Sequence, residues 1–169
     1  MHAEENKAAL AKAIQHWNAG RYEEYLQFYA PDVILHGFAR GLPPGRAGAK
    51  AFYSTVWAAY PNAQLAIHEL VAEGDMLACR FSMDGTQQGV FMGIPPQDKL
   101  IRVEGQTMMR FAGGQCVERW NQVDMLGWLQ QLGVIAMYVS YTHLTLFQSP
   151  ARGGSPCCRE LLRSHWLCC

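Results

Sequence analysis

The chain has 169 residues, half of them hydrophobic and 17% charged, and its 14 Lys and Arg balance its 14 Asp and Glu. That length suits one domain with a substantial core and is short for two. Zero net charge argues against a nucleic-acid or anionic-membrane partner, because those partners require a basic surface. The sequence contains no run of about 18 apolar residues, so no membrane-spanning helix is expected.

The first sixty residues are predicted to be mainly helical. Residues 4–19 carry apolar side chains at helical spacing, and residues 21–30 form a second, short helix. Pro31 should end that helix, because the residue before a proline is pushed out of the helical conformation. A short strand over residues 32–37 and a third helix over residues 47–59 follow.

Beyond the third helix the hydrophobic period changes from 3.6 to 2, and a short helix over residues 125–132 closes the pattern. Four strands are predicted, at residues 64–72, 76–85, 99–111 and 116–124. Segregated helices and strands indicate an α+β fold, with a strongly curved antiparallel sheet around the N-terminal helices and an apolar, cone-shaped pocket. Because the strands are apolar on both faces, we expect the outer face to form a homodimer.

Residues 1–133 are expected to form the domain, and residues 134–169 a tail that is non-native or disordered. The tail has no sustained period, and residues 139–146 resemble translated vector sequence. Four of the six cysteines lie in the tail without any Cys-x-x-Cys spacing, so no metal site is expected. The N-terminus is charged and has no apolar leader, which favours a cytoplasmic protein.

The last predicted strand offers the main candidate for chemistry. Strict alternation places one set of side chains on one face of it, namely Cys116, Glu118, Trp120, Gln122 and Asp124, and Arg119 and Asn121 on the other. A carboxylate buried beside aromatic rings has a raised pKa and can exchange protons near neutral pH. The alternative is that Asp124 caps the helix that starts at the next residue, and the pattern alone favours the cap.

His36 ends the first predicted strand, where an imidazole could share protons with a carboxylate across the pocket. The pattern alone favours a structural histidine there. Arg110 could pair with an acid on a neighbouring strand. The remaining candidates are large apolar side chains, which form either the core or the walls of a pocket for a flat, hydrophobic, oxygenated ligand: Tyr53, Trp57, Phe91 and Met92.

An ordered set of segments resembles the SnoaL-like polyketide cyclases, also called ester cyclases, of the NTF2-like superfamily. The segments are residues 29–37, 44–53, 70–75, 85–96 with Gly93-Ile94-Pro95-Pro96 at the end, 105–111 and 117–133. Together they cover about residues 5–133 in the correct order. Two positions depart from the family pattern. Pro96-Gln97-Asp98 replaces the usual Pro-Thr-Gly, and no second pocket histidine is present on residues 106–111.

The resemblance implies an NTF2-like cone that is usually dimeric and a pocket without cofactor or metal. Characterised cyclases of this group close a ring on a polyketide ester by intramolecular aldol condensation. The resemblance assigns the general acid/base role to Asp124 and a pocket role to His36. With these, the expected substrate-binding residues are Tyr53, Trp57, Phe91, Met92, Arg110, Trp120 and Gln122. The expected protein is a cyclase or a related carbon-acid lyase or isomerase.

Two other functions fit the same fold, since one fold hosts many activities. The first is a non-catalytic module that binds a small molecule or dimerises, which is favoured if Asp124 bonds only to backbone N–H groups of the next helix and there is no open cavity. The second is an epoxide hydrolase-like enzyme, which needs an Asp–Arg–Asp relay in the pocket. Only Asp124 and Arg110 are candidates for that relay, and a second aspartate is missing.

Overall fold

The computed structural model of the protein describes residues 2–135. The helices are α1 (His2–Asn18), α2 (Tyr22–Leu26), α3 (Gly45–Ala59) and α4 (Met125–Gln131), and the strands are β1 (Tyr29–His36), β2 (Gln64–Glu73), β3 (Met76–Thr86), β4 (Leu100–Ala112) and β5 (Gln115–Val123). The predicted tail lies outside the described residues apart from its first two positions, so the domain boundary at residue 133 stays a prediction.

The five strands form one curved, unclosed sheet in the order β1-β5-β4-β3-β2. β2, β3, β4 and β5 pair in antiparallel fashion, whereas β1 lies parallel to β5 at one edge. The predicted α+β class, with a curved sheet wrapped around N-terminal helices, is confirmed. None of the helices in the described part of the chain is long and apolar enough to cross a membrane.

The helices cover one face of the sheet, which we call the inner face. α1 packs against β2 and β3, and α3 packs against β1. Each helix turns an apolar stripe inward, with Leu10 and Trp17 buried on α1 and Tyr53 and Val56 buried on α3. The opposite, outer face of the sheet has no helix over it among the described elements.

The end of the second helix was predicted wrongly. α2 stops at Leu26, and β1 already begins at Tyr29, so Pro31 lies inside a strand. Proline is tolerated there because β1 is an edge strand and its pairing with β5 is interrupted between Tyr29 and Ile34. The missing N–H of proline therefore breaks no bond of the sheet.

Candidate active site in the interior of the sheet

A β-bulge in β5 decides which side chains reach the inner face. Arg110 of β4 pairs with Glu118, but the next residue of β4 pairs with Cys116, so Val117 is an extra residue. Alternation restarts beyond it, and Arg119 and Asn121 are buried on the inner face. The strict alternation expected from the sequence put Cys116 on the face of Trp120, and the bulge separates them.

The inner face and the helices enclose a cavity of about 70 Å³, which we call the interior cavity. Its walls come from all four helices and four strands, and they are mostly aliphatic and aromatic: Ile14, Phe52, Val56, Met83, Val103 and Trp128 are typical. None of the described residues that line the interior cavity is an aspartate, a glutamate or a histidine.

One group of polar side chains interrupts these apolar walls, and we call it the arginine–tyrosine cluster. Its members are Arg119, Thr107, Asn121, Tyr25, Tyr29 and Tyr53. All six are less than a tenth exposed. They come from α2, β1, α3, β4 and β5, so the tertiary fold assembles the cluster.

Arg119 lies at the centre of the arginine–tyrosine cluster. Its Nε–H donates to the hydroxyl of Thr107 at 3.0 Å, and one guanidinium nitrogen donates to the hydroxyls of Tyr53 at 2.9 Å, Tyr25 at 3.5 Å and Tyr29. The other nitrogen donates to Oδ1 of Asn121 at 3.3 Å. Each of these hydrogen bonds is to a neutral oxygen.

The charge state of the cluster follows from burial. Burial raises the pKa of Tyr25 and of Tyr29 well above the ordinary tyrosine value, so both hydroxyls are neutral at physiological pH. Burial also raises the pKa of the Cys79 thiol, which lines the same cavity. A guanidinium stays protonated in proteins. Arg119 therefore brings a positive charge to an otherwise neutral cavity.

An aromatic layer behind the cavity holds the tyrosines in place. Trp17 packs edge-on against Tyr25 and Tyr53 with ring centroids 5.1 and 5.5 Å apart, and its indole N–H donates to the carbonyl of Ala63 at 3.1 Å. Trp57 stacks on Tyr22 at 4.2 Å and lies behind Tyr53. Such packing fixes the ring positions and hence the hydroxyl positions.

Asp124 lies outside the interior cavity. It is the N-cap of α4, where its Oδ1 accepts a hydrogen bond from the backbone N–H of Gly127 at 2.8 Å. Its side chain is exposed to solvent. The expectation that this carboxylate is buried beside Trp120 is thus corrected, because β5 ends at Val123 and the chain turns outward into the helix.

His36 lies on the outer face, on the far side of the sheet from the interior cavity. Its Nε2 is 2.9 Å from Oε1 of Glu118, and its ring stacks on Trp120 with centroids 5.1 Å apart. Arg110 donates to Oε2 of the same Glu118 at 3.3 Å and to Asp75 at 3.2 Å. The hydrogen bond from His36, with Arg110 assisting, lowers the pKa of Glu118. The structure therefore does not bring His36 and Asp124 together.

The other expected binding residues are divided among three places. Trp120 and Gln122 line a hollow of about 410 Å³ on the outer face together with Met108, and we call it the outer hollow. Phe91 is buried behind the cavity wall, stacked on Trp128 at 4.4 Å. Met92 is 65% exposed on the loop between β3 and β4. Of the nine predicted site residues, only Tyr53 lines the interior cavity.

The residues that the sequence analysis did not select are those of the arginine–tyrosine cluster other than Tyr53. One signal in the sequence could have found Arg119. Glu118 of β5 lies opposite Arg110 of β4, and such an opposite-charge pair across two neighbouring strands is typical of a solvent-exposed face of a sheet. Because successive side chains of a strand point to opposite faces, an outward Glu118 implies an inward Arg119.

Metal binding has no candidate in the part of the chain that the structure describes. No group of three or more His, Cys, Asp or Glu side chains comes close enough together there to hold an ion.

Comparison with known proteins identifies related sequences and folds. The family of SnoaL-like polyketide cyclases matches residues 7–132. IdmH from Streptomyces antibioticus, "a putative polyketide cyclase", is 29% identical, with a TM-score of 0.65 over 76% of this chain and 98% of that one. AclR from Streptomyces galilaeus, "a putative hydroxylase", is 25% identical, with a TM-score of 0.71 over 79% and 99% of the two chains.

A third structure shows likeness of fold only. It is a "putative SnoaL-like polyketide cyclase" from Jannaschia sp. CCS1, 21% identical, with a TM-score of 0.69 over 80% of this chain and 96% of that one. No curated protein matches the chain.

Proposed function

The chain belongs to the SnoaL-like polyketide cyclase family, and from that membership we propose that it is a cofactor-independent cyclase. Its substrate would be a hydrophobic, polyketide-like ester, and its reaction an intramolecular aldol condensation. The observation that carries this proposal is the interior cavity, whose apolar walls meet a single group of polar side chains at the arginine–tyrosine cluster.

The lining of the interior cavity suits such a substrate, and its volume of about 70 Å³ has to widen when a molecule of that size binds. Aromatic and aliphatic walls favour a flat hydrophobic molecule, and a few convergent polar groups fix its orientation. Arg119 and Asn121 supply N–H donors, and the tyrosines supply O–H donors, all at one place in the wall. Carbonyl oxygens of a folded polyketide chain are the acceptors that match them.

The proposed aldol reaction neither consumes nor releases a proton overall. The carbon between two carbonyl groups gives its proton to solvent, and the substrate is bound as its enolate. The enolate carbon attacks a ketone of the same molecule, and the new alkoxide takes a proton back from solvent. A preorganised cation and hydrogen-bond donors lower the barrier by stabilising the negative charge that develops on oxygen. Arg119 and the neutral hydroxyl of Tyr25 are placed for this role on the cavity wall.

The acid/base role that the resemblance gives to Asp124 stays a prediction. Its carboxylate is exposed and engaged with Gly127. The proposal therefore assigns the stabilisation of charge to the cluster, and a separate variant of Asp124 tests the proton-transfer role.

One pair of variants tests whether the reaction takes place in the interior cavity. Val123→Phe places a ring in the cavity wall at a partly exposed position, and Val71→Phe makes the same change at a 66% exposed position of β2. We expect the first variant to lose at least about tenfold in turnover of a linear 1,3-dicarbonyl ester, measured by mass-resolved chromatography of the cyclised product, because the added ring occupies substrate space.

The Val71→Phe variant should turn over like the wild type, and both variants should keep their melting temperature within a few degrees. Equal turnover in both variants would place the reaction elsewhere. Absence of product with any linear ester would contradict the cyclase proposal itself.

A second candidate function is a non-catalytic module that binds a small molecule. The observation that favours it is the lack of a carboxylate or an imidazole among the described residues of the cavity lining. The same observation disfavours an epoxide hydrolase-like relay, because the arginine of the cavity has tyrosine and amide partners where the relay needs aspartates. Ligand binding without any product would decide for the binding module.

A further inference from the structure

The hydrogen-bond inventory of the arginine–tyrosine cluster contains more donors than acceptors. A guanidinium has five N–H groups and no acceptor. The terminal nitrogen of Arg119 that contacts Asn121 carries two of these hydrogens and has one bond, at 3.3 Å, within the described residues. One N–H of the buried cation is therefore left for a ligand.

The side chain of Asn121 adds two further donors. Its Oδ1 accepts from Arg119, and this orientation is imposed because a guanidinium can only donate. The Nδ2 group is thereby turned away from the cation, and it makes no hydrogen bond to any described residue. Asn121 lines the interior cavity, so these N–H groups are available there.

The tyrosine hydroxyls hydrogen-bond to one another. Tyr25 and Tyr29 share one hydrogen bond at 3.2 Å, and Tyr29 and Tyr53 share another at 3.1 Å. Tyr25 and Tyr53 also interact through their hydroxyls, so the three hydroxyl protons have acceptors within the cluster. The surplus of donors therefore lies with Arg119 and Asn121.

The unneutralised charge of Arg119 also favours a ligand that carries an acceptor oxygen. Among the described residues no carboxylate lies within 4.0 Å of the Arg119 guanidinium, and its hydrogen bonds all go to neutral oxygens. A buried charge that is hydrogen-bonded but not neutralised strongly favours an opposite charge beside it. A ligand with a negatively charged oxygen would supply both the missing acceptor and the missing charge.

We propose that the arginine–tyrosine cluster is an oxyanion site that binds the ionised form of an enol or phenol in preference to its neutral form. The inference deepens the proposed function, on which it rests for the substrate class: a 1,3-dicarbonyl compound that is acidic enough to be bound as its enolate. The contacts of Arg119 and Asn121 select the charged oxygen, and the apolar walls select the flat body of the ligand.

The test uses a small phenol that cannot cyclise, so its result is independent of turnover. The probe is 4-nitrophenol, whose ionised form has its own absorbance band, and the dissociation constant is measured at pH values on both sides of its ionisation. We expect the wild-type protein to bind the ionised form at least about tenfold more tightly than the neutral form, because an opposite charge and two or more N–H donors favour the anion.

Two variants of the cluster should abolish this preference. Arg119→Met removes the cation, and Asn121→Asp places a carboxylate of equal size beside it, which neutralises the site from within. Both should bind the two forms of the probe within about twofold. Arg102→Met is the matched control, since Arg102 is exposed on the outer face and pairs with Asp84 at 3.2 Å. It should behave like the wild type.

Equal affinity of the wild-type protein for both forms of the probe would overturn the inference, even if Arg119→Met failed to fold. Retention of the preference in folded Asn121→Asp would also overturn it. The two proposals fail separately: cyclisation without any preference for the anion contradicts only the oxyanion site, and preference without cyclisation contradicts only the cyclase.

Discussion

Arg119 remains inside the protein because neutral oxygens surround it. Buried ions are costly unless each donor finds an acceptor, and the hydroxyls of Thr107 and Tyr53 at 3.0 and 2.9 Å meet that need for two of its donors. These contacts hold the guanidinium in place without cancelling its charge. The residue therefore has the property that an oxyanion site requires: a fixed cation that no carboxylate of the described residues neutralises.

Asp124 is the residue at which a structural and a catalytic role can be separated. Asparagine caps a helix about as well as aspartate, whereas alanine does not. We expect Asp124→Asn to keep the free energy of unfolding within a few tenths of a kcal/mol, and Asp124→Ala to lose about 1 kcal/mol, both measured by urea denaturation.

Turnover of the asparagine variant then distinguishes the two roles. The structure predicts that Asp124→Asn retains turnover, because the carboxylate is exposed and bound to Gly127. Loss of turnover at unchanged stability would assign Asp124 the acid/base role that the resemblance implies.

Among the structural elements, the junction of β1 and β5 positions the cluster. Gly37 follows β1 with a φ of +76°, and a Cβ on it would lie 2.0 Å from the backbone carbonyl oxygen of Asn121. Only glycine fits this close approach. The contact holds the end of β1 against the part of β5 that carries Asn121.

Two glycines near this junction form a matched pair for a stability test. Gly41 has a similar φ of +80° but nothing within 4 Å of its Cβ position. Gly41→Ala should cost about 1–2 kcal/mol through backbone strain alone. Gly37→Ala should cost about 1–3 kcal/mol more, because the carbonyl of β5 has to move. Chemical denaturation measures both, and equal losses would show that the close approach does not constrain β5.

Most elements could be predicted from the sequence, because hydrophobic period and Gly-Pro punctuation report local structure. The four long strands, α3 and α4 lie close to their predicted positions. The end of α2 was missed because an edge strand with interrupted pairing tolerates Pro31. The faces of β5 were predicted incompletely because the extra residue, Val117, is a feature of strand pairing that no single-strand period reveals.

The candidate site was less predictable than the fold for a related reason. The arginine–tyrosine cluster draws its members from five elements, and its tyrosines look like ordinary core aromatics in the sequence. His36 and Asp124 stood out because their residue types suggest proton transfer, but neither lies in the interior cavity. Burial and the direction of a side chain, which only tertiary structure fixes, decide what such residues do.

At the scale of the whole molecule, the sheet separates two different surfaces. The inner face encloses the interior cavity, and the outer face carries half-exposed apolar side chains such as Ile34 at 55% and Met108 at 48%. We propose that the outer face packs against a second copy of the chain, with Trp120 and Met108 of the outer hollow at its centre.

Light scattering coupled to size-exclusion chromatography tests the dimer. The wild-type protein should elute at twice the mass of one chain, and Met108→Glu should elute at the mass of a single chain, because a carboxylate at the centre of the interface has to be desolvated when the two copies associate. A wild-type protein that remains monomeric at high concentration would contradict this proposal and leave the site in the interior cavity unaffected.

The central claim is that the functional site lies in the interior cavity rather than on the outer face. The most direct test is a nuclear magnetic resonance titration with 4-nitrophenol that follows side-chain N–H signals on both faces. The claim predicts that the signals of Asn121 and of the Trp128 indole shift with the ligand, while those of Gln122 and of the Trp120 indole do not. Shifts confined to Gln122 and Trp120 would contradict it.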